Sequence, residues 1–414
     1  MDPIDVFRKA RNSFYSGPLK NVKEMKDYYV ERHDEALAEM KESLLTEDNP
    51  LKILFTGHIG SGKSTELNKL VCDEEILQDF IVIPFSIILK DFDPYNISYQ
   101  DILLAIGSEV FHQSREKGIK LSKSFLNKLD EAQDTIIKTE TATVGAEATI
   151  EGKISAWFVS LVGKLKGEYA TKEEVRREIT PKLNQFINLI DEIIAEVEKK
   201  DEENRKLLVV VDDTDKPTLE LAQKLFYESG QILARPQCRI IYTIPISLQY
   251  HENSTAMRAY FSGDIFTLPN IKIINRDGSV HPEGFNLMKE FIQRRMSLEY
   301  IEEDALKKAI LMSGGILREM GTIMRYACRK AIVRKEDKIS LRTIESVISD
   351  MRSEHQKSLS KEDYEILAQK AKDQRLERNE QLRNLLHNLK VLEYRNDDSW
   401  CDVNPIIRPL VVEE

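Results

Sequence analysis

No run of apolar residues in the 414-residue sequence approaches the roughly 20 needed to cross a bilayer. Its first residues, Met1-Asp2-Pro3-Ile4-Asp5, are acidic and polar where a secretory leader is basic and then apolar, so a cytoplasmic protein is expected. Cysteine is scarce. Cys72, Cys238, Cys328 and Cys401 lie far apart and form no C-x-x-C pair, which argues against a zinc site or a disulfide framework and leaves reduced thiols as the expectation. An excess of positive charge is also missing. The 60 Lys and Arg stand against 70 Asp and Glu, a net charge of −10, so the protein as a whole has no electrostatic grip on nucleic acid, whatever a local patch does. What is present, 41% hydrophobic and 31% charged residues, is the composition of a globular protein with charged helices, long enough for two or three domains.

Four continuous apolar runs read as strands: Leu51–Thr56, Phe80–Phe85, Leu207–Val211 and Arg239–Thr243, with a fifth expected at Ile271–Ile274. Helical patterns separate them, the arrangement of a parallel sheet covered on both faces, and the fold class expected is α/β. Residues 1–50 read as a helical lead-in, with one amphipathic helix running from Tyr28 through Met40 toward Pro50. An insertion at 98–205 separates the second and third strands. It is helical by pattern to about Glu140, then a Thr- and Ala-rich loop or hairpin over Thr139–Ile150, then a stripe of Ile154, Trp157, Phe158, Leu161, Val162 and Leu165 at helical spacing, and a long charged helix from about Lys172 to Lys200. The stripe is consistent with core packing, with a partner or self-association surface, or with a membrane surface. A segment of that length between two core strands is expected to face a partner, with Trp157 and Phe158 as anchors. Residues 283–355 are helical, and 356–414 read as a helix pair followed by a β-hairpin that turns at Asn396-Asp397-Asp398.

The strongest chemical signal is Gly57-His58-Ile59-Gly60-Ser61-Gly62-Lys63-Ser64, with Thr65 next, which fits the phosphate-binding pattern G-x-x-x-x-G-K-[ST]. A polyphosphate needs backbone N–H donors around it with no side chains in the way, and the glycines supply that ahead of a helix N-terminus. Lys63 is expected to place a cation on the β- and γ-phosphates and Ser64 to complete a Mg²⁺ shell. His58 is expected to be a solvent-facing loop residue. The strand Leu207–Val211 ends in Asp212-Asp213-Thr214-Asp215. Asp212 is expected to hold the metal through water, and Asp213 to polarise the attacking water.

Taken in order, these features resemble the AAA+/STAND group of P-loop ATPases, most of all the origin-recognition-type initiator ATPases and related archaeal and bacterial ATPases. Tyr29-Val30-Glu31-Arg32 with Glu35 resembles the box that contacts adenine, and Arg239–Thr243 resembles the sensor 1 strand, with Thr243 in its polar position. Ser313-Gly314-Gly315-Ile316-Leu317-Arg318 resembles the sensor 2 motif, with Arg318 as the cation. The resemblance implies ATP with Mg²⁺ as cofactors, an ATPase core over 51–282, a helical lid over 283–355, and a winged helix over 356–414. Asp213 stands where most AAA+ enzymes have Glu, which points to slow or partner-stimulated turnover. Arg258 is the candidate arginine finger. The expected partners are a second copy of the chain or a co-encoded effector protein, in a switch of the signalling or defence type; a DNA-associated initiator or transposition-type loader is the alternative. Residues 351–414 carry 11 Lys and Arg against 13 Asp and Glu, and the hairpin turn is acidic, a poor match to phosphodiester backbone.

Overall fold

The computed structural model describes residues 2–15, 17–32, 34–136, 149–261, 265–395 and 398–412. Five strands, β1 Lys52–Gly57, β2 Phe80–Ser86, β3 Lys206–Asp212, β4 Arg239–Pro245 and β5 Ile265–Thr267, form one sheet in the order β2-β3-β4-β1-β5. Every pairing in it is parallel. Side chains alternate between two buried faces, as strand geometry requires. Ile83, Val209, Val211, Tyr242 and Ile244 point into one core. Phe55, Val82, Leu208, Val210 and Ile241 point into another, covered by Met40 and Leu44 of the helix Glu35–Thr46 and by Leu67 and Leu70 of the P-loop helix Lys63–Leu70. Pro84 lies on β2, an edge strand that pairs only with β3, where a missing N–H breaks no ladder.

The insertion builds the first of these cores. The helix Ile150–Lys166 carries the apolar stripe, and Ile154, Trp157, Phe158, Leu161 and Leu165 are all buried in the cluster that covers the sheet. Phe158 packs on Phe111 at 5.6 Å and on Trp157 at 4.9 Å between ring centroids. Of the readings of the stripe, core packing is the one the structure bears out, and the expectation that Trp157 and Phe158 anchor a partner is corrected. The long charged helix is in fact two, Tyr169–Ile179 and Leu183–Lys200, joined by a tight turn over Thr180–Lys182. Pro181 in that turn has no N–H to continue the helical ladder. Of the loop or hairpin expected at Thr139–Ile150, residues 139–148 lie outside the described residues.

A third core holds the helices Pro282–Gln293, Glu303–Met312, Leu317–Arg334 and Leu341–Gln356. It also takes Phe7, Ala10 and Phe14 of the first helix and its flank, and Leu382, Leu385, Val391 and Val403 from the C-terminal residues. Residues 1–50 thus serve two cores, because a second helix, Val22–Tyr28, and the non-helical Tyr29–Arg32 separate the first helix from Glu35–Thr46. The fifth strand is a further correction, since it lies at Ile265–Thr267 and not at Ile271–Ile274. Pro269 follows, and the chain leaves the sheet. Ile271 donates its N–H to the Gly315 carbonyl at 3.2 Å, and Ile271 and Ile273 fill the third core. The C-terminal residues form the helices Lys361–Asp373 and Glu380–His387 and an antiparallel pair, β6 Val391–Arg395 and β7 Ser399–Val403. Tyr394 stacks on Trp400 at 4.7 Å. The turn residues Asn396 and Asp397 lie outside the described residues. Among the described residues no helix is long and apolar enough to cross a membrane.

Candidate nucleotide site

Parallel pairing brings the strand ends that matter to one rim of the sheet. Gly57 at the end of β1 is in register with Pro245 of β4, and Ser86 of β2 with Asp212 of β3. That rim is where ligands bind in open α/β sheets. The loop from Gly57 to Gly62 turns there into the helix Lys63–Leu70, with Gly60 at φ 87° and Gly62 at φ 111°. A Cβ on Gly60 would stand 2.5 Å from that of Arg318, so glycine lets the lid close on the loop.

Lys63 is buried and turned inward. Its ammonium donates to the carbonyls of Gly57 at 2.9 Å and His58 at 3.0 Å, and pairs with Asp215 at 2.7 Å. Burial pushes the Lys63 pKa down against the pull of Asp215. Burial also opposes ionisation of Asp215, yet Lys216, at 2.5 Å, and Lys63 together hold its carboxyl below the usual range. Asp212 is held up at about 6 by burial, then by the charges of Asp213 and Asp215, while the Ser64 hydroxyl bonded to it acts in the other direction. The three carboxylates offer oxygens within 4.8 Å of one another. Crowded, desolvated acids beside a hydroxyl fit a divalent cation, which would relieve their repulsion. Ser64 and Asp212 are the residues that would hold it.

Asp213 sits at φ 65° and is engaged by the Ser86 hydroxyl from the neighbouring edge strand. Thr243 is buried on β4, and its carbonyl and hydroxyl both face the hydroxyl of Thr214. A cleft opens between the loop and the helix Leu317–Arg334. Gly60, Gly62, Lys63, Ser64, Thr65 and Arg318 line its loop end. Phe14, Pro18, Leu19, Tyr28, Val30 and Phe291 give it an apolar and aromatic end. Arg318 meets the loop through its own N–H, which donates to Gly60 O at 3.2 Å. Arg32 does not line the cleft. It lies behind the loop, donating to the Ser61 carbonyl at 2.6 Å and to that of Pro269. Arg258, exposed on the helix Ser254–Tyr260, is not brought to the cleft of its own chain.

His58 departs furthest from expectation. It is 1% exposed, and its Nε2 accepts the backbone N–H of Glu393, on β6, at 2.7 Å. The neutral tautomer with its proton on Nδ1 is therefore required. Burial, with Lys63 next, pushes its pKa down to about 3. Glu393 is itself fixed from several sides: Tyr250 donates to its carboxylate at 2.8 Å, Arg395 pairs with it at 2.9 Å, and Asn270 donates to its carbonyl at 3.1 Å. Tyr394 donates to Gly314 O of the lid at 2.9 Å. The hairpin thus touches the phosphate loop, the turn after β4 and the lid at once. Asp215, Lys216, Ser86 and Glu393 were not legible as site residues. Only the Asp215-Lys216 step, an acid and a base beside the acidic pair, carried a signal.

Sheet order, glycine-rich loop and the helices that follow the sheet define an α/β fold of the P-loop type. Neither a protein-family model nor a curated protein matches the chain. Among solved structures it is similar to the Orc1 protein of Aeropyrum pernix in complex with DNA, at 11% identity over 95% of this chain and 93% of that one, with a TM-score of 0.42. It is also similar to Cdc6p from Pyrobaculum aerophilum (11% identity, 92% and 96% covered, TM-score 0.39) and to Drosophila ORC bound to DNA (10% identity, 98% and 92% covered, TM-score 0.39). The likeness is one of fold, and the reading of the site rests on its own residues.

Proposed function

We propose that the protein is a Mg-ATP-dependent molecular switch in which nucleotide held between phosphate loop and lid controls the docking of the C-terminal hairpin. The observation that carries this reading is the shared use of the loop. Lys63 is bound to Asp215 and to the loop's own carbonyls, while His58 in the same loop is bound to Glu393. A polyphosphate entering the loop competes for the Lys63 ammonium, and Lys216 remains to balance Asp215. Reshaping the loop around phosphate then bears directly on the His58 contact. The metal would supply charge neutralisation on the phosphates. Asp213 is the base of the reading, and its bond to Ser86 keeps turnover slow until released. Arg258, outward-facing, is assigned to the site of a neighbouring copy, so hydrolysis rises with self-association.

The winged-helix reading of the C-terminal residues is retained, as a protein-contact rather than a DNA-contact unit. Lys390 is bonded to His355 at 2.7 Å, and Leu382, Leu385 and Leu386 turn the helix Glu380–His387 into the core. Those residues leave that helix little cationic surface for a duplex. Calorimetry with Mg-ATP tests the proposal. ATP should bind at the phosphate loop of the wild type, and Lys63→Ala should weaken binding at that loop at least about tenfold by removing a charge-assisted contact. Unchanged affinity in the variant would remove the phosphate loop from the mechanism.

A further inference from the structure

On the outer side of the first helix, Pro3–Ser13, and the lid helix Leu317–Arg334 lies a second cavity, lined by Arg11, Asn12, Tyr15, Arg325, Tyr326 and Arg329. Three arginines line it, and no acid does. Among the described residues none of the three makes an ion pair, in a chain of net charge −10. Arg325 and Arg329 are four apart on one helix, where like charges repel. Both lie over the Tyr326 ring, at 5.5 and 4.8 Å from its centroid, which holds the cations without neutralising them. A carboxylate would neutralise one of the three. A phosphate or polyphosphate matches both the charge and the planar fork of guanidinium donors. Tyr15, 74% exposed, presents a ring beside them for a second aromatic group. The same Tyr15 also lines the nucleotide cleft, and the neighbouring Phe14 carbonyl packs against Gly321 of the lid helix.

We propose that this cavity is a second ligand site, outside the ATP cleft, that takes a phosphate-bearing nucleotide with its phosphates on Arg11, Arg325 and Arg329 and its base against Tyr15. A ligand there shares Tyr15 with the cleft, so the two sites are coupled through the first helix.

The test titrates Lys63→Ala protein with pyrophosphate, with ATP and with a short single-stranded oligonucleotide, by calorimetry at two salt concentrations. Pyrophosphate and ATP should each bind once, more weakly at the higher salt. Arg325→Gln with Arg329→Gln should weaken both at least about tenfold at unchanged melting temperature. Tyr15→Ser should weaken ATP and leave pyrophosphate unaffected. Arg11→Gln, on the facing helix, repeats the test with a change outside the lid. If Lys63→Ala still binds ATP at the phosphate loop, the stoichiometry becomes two and the arginine variant lowers it to one, so a failure of the switch reading is told apart from a failure of this one. The proposal is overturned if neither probe binds, if binding ignores the arginines, or if the oligonucleotide binds through them at least about a hundredfold more tightly than ATP, which makes the cavity a nucleic-acid contact.

Discussion

The insertion and the C-terminal hairpin exchange the roles that their positions in the chain suggest. The insertion is a long excursion between two adjacent strands, with an aromatic stripe that invites a partner, and its stripe is buried against the sheet beside Phe111 and Ile190. The hairpin lies at the far end of the sequence, after two helical units, and its backbone reaches into the phosphate loop to hold His58. Amphipathic spacing reports that a face will be covered; it does not report by what. Contact with the site is decided by topology, which sets the sheet rim and the end of the chain side by side.

The largest effects are expected at the insertion. Phe158→Asp puts a carboxylate where a 1%-exposed ring now packs, and should unfold the protein or cost more than about 5 kcal/mol, with Trp157→Ala at about 3–5 kcal/mol, in a denaturant titration. Stable variants with impaired self-association would instead return the stripe to an interface. At the hairpin the effect should be smaller and local. His58→Ala leaves the Glu393 N–H buried without its acceptor, a loss of about 1–3 kcal/mol, seen as faster hydrogen exchange over β6 and β7 while β3 stays protected. Equal protection before and after the substitution would show that docking does not pass through His58.

Acid should loosen the same contact. Folded His58 resists protonation down to about 3, whereas the unfolded chain takes up its proton near 6.5. The stability it contributes is therefore full above that value and lost as pH falls toward 3, amounting to about 2 kcal/mol between pH 6.5 and 5. Asp212, held up at about 6, acts in the opposite direction, and His355, held down at about 4, in the same one. The measurement is thus the difference between wild type and His58→Asn across that interval, which should shrink to nothing if His58 is not buried. The smallest effect is expected at the edge strand, where Ser86→Ala releases Asp213 and should raise basal ATP turnover a few-fold. A fall in turnover would mean that Ser86 orients the carboxylate rather than restrains it.

What could be read from the sequence follows the range of the interactions involved. β1 to β4 were legible to within a residue or two because each is a continuous apolar run, and the turn from strand to helix over Gly57–Ser64 because it is one local glycine-rich segment. The three-residue β5 carries too little pattern to outweigh the stronger Ile271 and Ile273, which serve the lid core. Pro181 marked the break between Tyr169–Ile179 and Leu183–Lys200, but the charged pattern ran on through it. His58 was misplaced because its partner lies 335 residues away, and Lys63–Asp215 depends on how the turn after β3 folds back. Pairings of that kind exist only once the sheet has formed.

Gly315 fixes the start of the helix Leu317–Arg334 to the chain after β5. At φ 79° its Cα hydrogen points at the Ile271 carbonyl, where a Cβ would stand 1.8 Å away, and the reciprocal Ile271 N–H bond pins the same spot. Gly314, one step before, carries the tie to the hairpin through Tyr394, and Arg318, further on, carries the tie to the phosphate loop through Gly60. One short segment, Gly314 to Arg318, therefore ties the hairpin, the Ile271 backbone and the phosphate loop together. A side chain at position 315 would have to push the Ile271 carbonyl away, and so loosen the link between cleft and hairpin at its middle.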